Sequence, residues 1–186
     1  MKYLSIISMI LLLQNRISAQ DLTFTEIRNA VLDNGKHVHQ SNESRLINYS
    51  FDWSNFQKTL LNKRFVYVET KEFSRDEIWA YNYNIESKTA SIWINLKSDF
   101  FGTDSSPVYY KGIEMTFSEN DFNYNNLEDK IKQYCAFKKV AFSDIDNSYR
   151  RIYLHPDGLV FTLWTDIKNN TNHIYTSLSK ENHVNK

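Results

Sequence analysis

The chain has 186 residues, 41% hydrophobic and 24% charged, with 22 basic and 22 acidic side chains for a formal net charge of +0. That is a globular composition, and 4 Gly and 2 Pro exclude a flexible linker or a disordered chain. Basic residues alternate with acids, as in LEDKIKQ and SRDEIW, which argues against a nucleic-acid partner, because phosphates are neutralised by clustered Lys and Arg.

The first twenty residues, MKYLSIISMILLLQNRISAQ, have the layout of a secretory signal peptide. Lys2 is the positive n-region, Tyr3 to Leu13 the apolar stretch, and Ile17-Ser18-Ala19 the small-residue cleavage site. The apolar run is too short to span a bilayer, and no later stretch is long enough. We therefore expect a signal peptide over 1–19, export to the periplasm or beyond the cell, and no stable membrane insertion. Without Lys2 and Arg16, 20 basic residues face 22 acidic ones, a net charge of −2. The single cysteine, Cys135, leaves no intramolecular disulfide, so an exported fold must rest on its core.

After the leader, Phe24, Ile27 and Val31 are spaced like one face of a helix that Asn34-Gly35 ends. KHVHQSNESRLINYS is polar and reads as a loop. In FDWSNFQKTL (51–60), Trp53, Phe56 and Leu60 form a helical stripe, with Asp52 or Ser54 as candidate caps. RFVYVET, EIWAYNYN and ASIWINLKS read as strands, followed by a polar loop holding Gly102 and Pro107 and then the strand VYYKGIEMTFS. FNYNNLEDKI (122–131) begins 71 positions after FDWSNFQKTL (122 − 51 = 71) and repeats its stripe with Tyr124, Leu127 and Ile131. Asn123 and Asn125 are its candidate caps. Cys135 follows this helix and reads as a small buried apolar residue. FKKVAFS, SYRRIYLH, LVFTLWTD and HIYTSLS are four further strands, with a turn at Pro156-Asp157-Gly158.

Each half thus runs through one helix and four strands. The expectation is an α+β fold of two tandem helix-plus-four-strand repeats, in one shared antiparallel sheet or two packed side by side. Its boundaries are 20–50 for an N-terminal helix and polar loop, 51–118 for the first repeat and 119–186 for the second.

Ala19-Gln20, Trp79 to Asn82 and Trp93 carry a resemblance to a group of small exported proteins of the Bacteroidota type. The group's pattern is a signal ending in Ala-Gln, a short helix, a Trp-Ala-Tyr-Asn strand, a Trp-bearing strand, and a second helix and strand set. The resemblance implies export and this element order, with no activity attached. The repeat order is also similar to that of β-lactamase inhibitory protein-like α+β repeats, a likeness of fold alone.

Chemistry is sparse. His37 and His39 would share one face of a strand, as zinc or copper ligands can, but no further ligands stand at a recognised spacing, and the segment reads as a solvated loop. Asp144 and Asp146, with Asp157 nearby, lack the glycine and distal Glu of a calcium loop and read as exposed turns. There is no G-x-S-x-G, G-x-G-x-x-G or P-loop. No catalytic, cofactor or metal residue is nominated, and no cofactor is expected.

The aromatic strands are the most informative feature. Trp79, Tyr81 and Tyr83 would share one face of EIWAYNYN, with Ile78 and Ala80 on the other. If the helices bury the aliphatic set, Trp79, Tyr81, Tyr83, Trp93 and Trp164 form an open binding face for a protein or glycan. In the competing arrangement the aromatic face packs inward and completes the core. The sequence reads best as an exported, non-enzymatic binding domain. The alternatives are a small secreted carboxylate-dependent hydrolase of cell-wall or glycan material, and an inhibitor or immunity-type protein.

Overall fold

A computed structural model describes residues 22–34, 38–40, 47–49, 53–72, 74, 76–103 and 106–178, with backbone only at 34, 38–40, 47–49, 98–103 and 106–111. The leader, His37 and the side chain of His39 lie outside the described residues.

The elements in order are α1 (Phe24–Asn34), β1 (Val38–Gln40), β2 (Ile47–Tyr49), α2 (Ser54–Asn62), β3 (Val66–Thr70), β4 (Glu77–Tyr81), β5 (Ile92–Thr103) and β6 (Ser106–Ser118). Then come α3 (Phe122–Tyr134), β7 (Ala136–Ser143), β8 (Ser148–Leu154), β9 (Leu159–Asp166) and β10 (Thr171–Leu178). β3 to β10 form a single eight-stranded antiparallel sheet ordered β3-β4-β5-β6-β10-β9-β8-β7. The fold is α+β, with one shared sheet and not two.

Three local expectations are corrected. The segment taken as a polar loop after Asn34 contains an antiparallel pair, with Val38 opposite Tyr49. The loop expected around Gly102 and Pro107 is ladder, because β5 and β6 run on until Thr103 faces Ser106. The helix caps also differ. At α2 the N-cap is Trp53, with no side-chain cap bond. At α3 the cap is Asp121, whose carboxylate accepts from the Asn123 N–H at 2.8 Å. At α1 a capping box that the apolar spacing did not reveal starts the helix. Thr23 N–H donates to Glu26 Oε2 at 2.8 Å, and Glu26 N–H donates to Thr23 Oγ1 at 3.2 Å.

Strict alternation along the central strands sorts their side chains. Ile92, Ile94 and Leu96 of β5, Ile113, Met115 and Phe117 of β6, Ile174 and Thr176 of β10, and Leu159, Phe161 and Leu163 of β9 are all buried on one face. All three described helices cover that face. α1 lies over β6, β9 and β10, between α2 and α3. α2 contributes Phe56 and Leu60, and α3 contributes Tyr124, Leu127 and Ile131, the stripes legible in the sequence. Phe24 of α1 stacks on Phe161 and on Tyr134, ring centroids 5.4 Å apart in each case. Arg28 pairs with Asp157 in the β8–β9 turn, where Gly158 supplies a φ of 81°. Cys135 closes α3 and is buried, and burial pushes its thiol up to about 11.

Candidate functional site

Among the described residues, the helices leave the second face of the sheet bare. The five aromatic residues of the expected binding face divide between the two sides. Trp79 pairs across the ladder with Ile94, and Tyr81 with Ile92, so both point toward the helices. They are 4% and 7% exposed, inside the core. On this strand the competing arrangement holds, and the expectation of Trp79 and Tyr81 on an open face is corrected. Every member of the alternating set Ile78, Trp79, Ala80 and Tyr81 is apolar, so polarity does not say which way the strand turns. The rings fill more volume, and they take the helix side.

Tyr83 parts company with Tyr81 because Asn82 adopts a left-handed backbone, φ 54°. That residue breaks the alternation, and Tyr83 meets Trp93 edge to face, centroids 5.5 Å apart. Trp93 lies part-buried on the bare face. Trp164 lies on the same side but is only 7% exposed, so its expectation as an open ring is corrected as well. A row of directly paired residues crosses five strands there, Ala80–Trp93–Thr116–His173–Trp164. A second row runs Ile78–Asn95–Glu114–Tyr175–Thr162–Ile152.

These rows hold one continuous polar and aromatic network. Trp164 stacks on His173, with centroids 4.7 Å apart and planes 7° from parallel. The Arg150 guanidinium lies 4.6 Å from the Trp164 centroid, a cation–π contact, and donates to Asp146 at 2.8 Å. Burial works against the Asp146 carboxylate, but hydrogen bonds from Ser148, Ser143 and Arg150 outweigh it and hold its pKa well below the usual range. Both ring nitrogens of His173 are engaged, Nδ1 with Thr116 Oγ1 at 3.1 Å and Nε2 with Thr171 Oγ1 at 3.0 Å. Burial lowers the His173 pKa, partly offset by Glu114. Lys97 bridges Glu114 at 2.5 Å and lies 5.6 Å from the Tyr175 centroid. Asn95 Oδ1 and Arg150 Nε are buried without a hydrogen-bond partner.

The sequence reading nominated Trp93, Trp164 and Tyr83 of this face and missed His173, Arg150, Tyr175, Lys97, Glu114 and Asn95. A signal was available. In IWINLK the polar set Trp93, Asn95 and Lys97 alternates with Ile92, Ile94 and Leu96, and in HIYT His173 and Tyr175 alternate with Ile174 and Thr176. The acidic turn residues do not converge on a shared site, since Asp146 is tied to Arg150 and Ser148, and Asp157 to Arg28. Among the described residues no three His, Cys, Asp or Glu side chains gather as metal ligands, and no helix is long and apolar enough to cross a membrane.

The chain matches no protein-family model, no curated protein and no solved structure. The surface itself therefore carries the functional argument. It joins flat rings, a guanidinium, an ammonium and paired carboxylates on a rigid sheet, which suits noncovalent recognition of a partner with mixed polar and apolar groups.

Proposed function

We propose that the chain is an exported, non-enzymatic binding domain whose partner, a protein or a glycan, docks on the bare face of the sheet. One observation carries this reading. All three described helices lie on the other side, while the bare side holds Trp93, Tyr175, Arg150 and the buried Trp164 within a network of ring and charge contacts. A rigid sheet loses little side-chain entropy on binding, because its rings and cations are already held in place. The leader-like first nineteen residues support export.

The proposal includes an internal duplication, with α2 to β6 as one copy and α3 to β10 as the other. Each copy's first strand is irregular at the same point, between Tyr67 and Glu69 in β3 and between Phe137 and Lys139 in β7. Each places an aromatic residue there edge-on to the next strand. Tyr67 meets Trp79 at 5.6 Å and 72°, and Phe137 meets Tyr153 at 5.5 Å and 69°. The last strands pair centrally with Ile113 opposite Thr176 and Met115 opposite Ile174. A shift of 61 (174 − 113 = 61, 176 − 115 = 61) exchanges those two pairs, as two copies related by a two-fold axis require.

The test is capture from culture supernatant and a glycan panel, using the full chain beside Trp93→Ala and Arg150→Ala. The proposal expects a partner retained by the native protein and weakened about tenfold or more by both substitutions. A partner held equally by all three proteins places the binding surface elsewhere. Turnover of a polysaccharide or peptidoglycan substrate overturns the non-enzymatic reading.

A further inference from the structure

We propose that β7 is a self-association edge, at which two copies of this chain pair their β7 strands antiparallel about a two-fold axis at Ala141 and join two sheets into one. This edge is separate from the bare face of the sheet. β7 is the last strand of the sheet and pairs only with β8, so its outward backbone groups have no strand partner among the described residues. Exposed edges of this kind are templates for further pairing unless they are short, bulged or charged.

The two edges differ in this respect. β3 is five residues long, and its register breaks between Tyr67 and Glu69, near its middle. β7 is eight residues long, and its irregularity lies near its start together with the exposed Lys138, leaving Lys139–Ser143 in unbroken register with β8 and Lys139 as the one charge on that run. On its helix side β7 presents Phe137, Val140 and Phe142, which are 56%, 54% and 51% exposed. Tyr149 of β8, 70% exposed, extends this strip, its ring centroid 5.1 Å from that of Phe142. α3 reaches only as far as β8, where Glu128 and Tyr124 hold Arg151.

Register and charge select the occupant. With Ala141 on the axis, paired residue numbers sum to 282. Val140 then lies opposite Phe142 of the second copy, Lys139 opposite Ser143, and Lys138 opposite Asp144. Four apolar side chains meet on the helix side. Beyond each end of that run Lys138, at the β7 irregularity, comes beside Asp144 of the second copy's β7–β8 turn, opposite in charge. An axis at Lys139 would set that lysine against itself, and an axis at Val140 would set Lys138 against Phe142. The isologous pair also closes at two copies, whereas β7 joined to β3 of the next copy would propagate.

Sedimentation of the full chain over a concentration series tests this directly. The expected result is a monomer–dimer equilibrium, with the dissociation constant raised about tenfold or more by Phe142→Lys. Because Phe142 is half exposed, far-ultraviolet circular dichroism and the unfolding midpoint should stay unchanged at concentrations where both proteins are monomeric. Ala141→Cys should form a disulfide-linked dimer under a mild oxidant, because directly opposed residues of an antiparallel pair have Cα atoms about 4.5–5.5 Å apart, within disulfide reach. Phe137→Cys, far from the axis, should not. A monomer at every concentration, open-ended oligomers, a dimer indifferent to Phe142→Lys, or an Ala141→Cys protein that stays uncrosslinked would each overturn the proposal. So would a monomer that instead takes up an extended apolar peptide at this edge.

Discussion

Trp164 and His173 lie face to face, 4.7 Å between centroids and 7° from parallel, in the middle of the sheet face that the helices leave bare. The arrangement favours a neutral imidazole, since burial lowers the His173 pKa, with Glu114, Asp166 and Asp146 opposing the shift and Arg150 adding to it. Burial also lowers His155, with Asp157 opposing and Arg28 adding. When a histidine is depressed in the folded state, the unfolded chain takes the proton first. Stability should therefore fall as pH drops from the ordinary value of 6.5 toward the folded-state values, and be constant above it with respect to these groups. Urea unfolding at closely spaced pH values should show that slope, and His173→Gln should flatten it. An unchanged slope in the variant would assign the dependence to other groups.

The two tryptophans that the ladder places on opposite faces should differ sharply in energetic cost. Trp79→Ala empties a buried site and should destabilise by about 3–5 kcal/mol. Trp93→Ala removes a ring that is only part-buried, and about 2 kcal/mol or less is expected. Acrylamide quenching provides a second readout. Trp53, Trp79 and Trp164 are all buried, so Trp93→Phe should remove most of the quenchable emission. Equal costs for the two substitutions would contradict the assignment of faces.

The helices and nearly all the strands were legible because each carries one unambiguous period. The stripes Phe56/Leu60 and Tyr124/Leu127/Ile131 are buried as their spacing implies, and β7 to β10 fall within two residues of the runs read from the sequence. The face of β4 was not legible, because Ile78, Trp79, Ala80 and Tyr81 are apolar on both sides and only the covering helices decide between them. Both strands of the β5–β6 hairpin were read, but its far end was taken for a loop because Gly102 and Pro107, usually breakers, sit opposite each other there. The bare-face network was half legible. Trp93 and Trp164 stand out by type, whereas Arg150, His173 and Glu114 gain their meaning from strand order, which joins β6 to β10 across 53 to 65 positions of sequence (171 − 118 = 53, 177 − 112 = 65).

Gly112 sits where β6 passes β10, with the Tyr175 ring close against it. A Cβ there would lie 2.7 Å from Tyr175 Cε2 and overlap the Thr176 carbonyl oxygen. The ring is the far end of a rotatable side chain, whereas the backbone carbonyl is held in the β6–β10 ladder and cannot give way. Gly112→Ala should therefore cost about 1–3 kcal/mol despite the gain in strand propensity, measured by denaturant midpoint at constant m-value. Tyr175→Ala in the same background should recover only part of the loss. Full recovery would show that the ring alone was the obstacle.

Arg151 ties α3 to the sheet. It donates to Glu128 Oε1 at 2.5 Å and to the Tyr124 hydroxyl at 3.2 Å, and Glu128 also accepts from Lys132 at 3.0 Å. Burial of Arg151 opposes its charge, and Glu128 more than compensates. Glu128→Gln leaves the guanidinium with a weaker partner on a part-buried surface, and a loss of about 1–2 kcal/mol is expected. Lys132→Ala, on the solvent side of the same carboxylate, should cost about 0.5 kcal/mol or less. Because removing one partner strands the other, Glu128→Leu and Arg151→Met together should cost less than the sum of the single changes. Strict additivity in that double-mutant cycle would mean that the pair contributes no coupling and that α3 is held to the sheet by its apolar stripe alone.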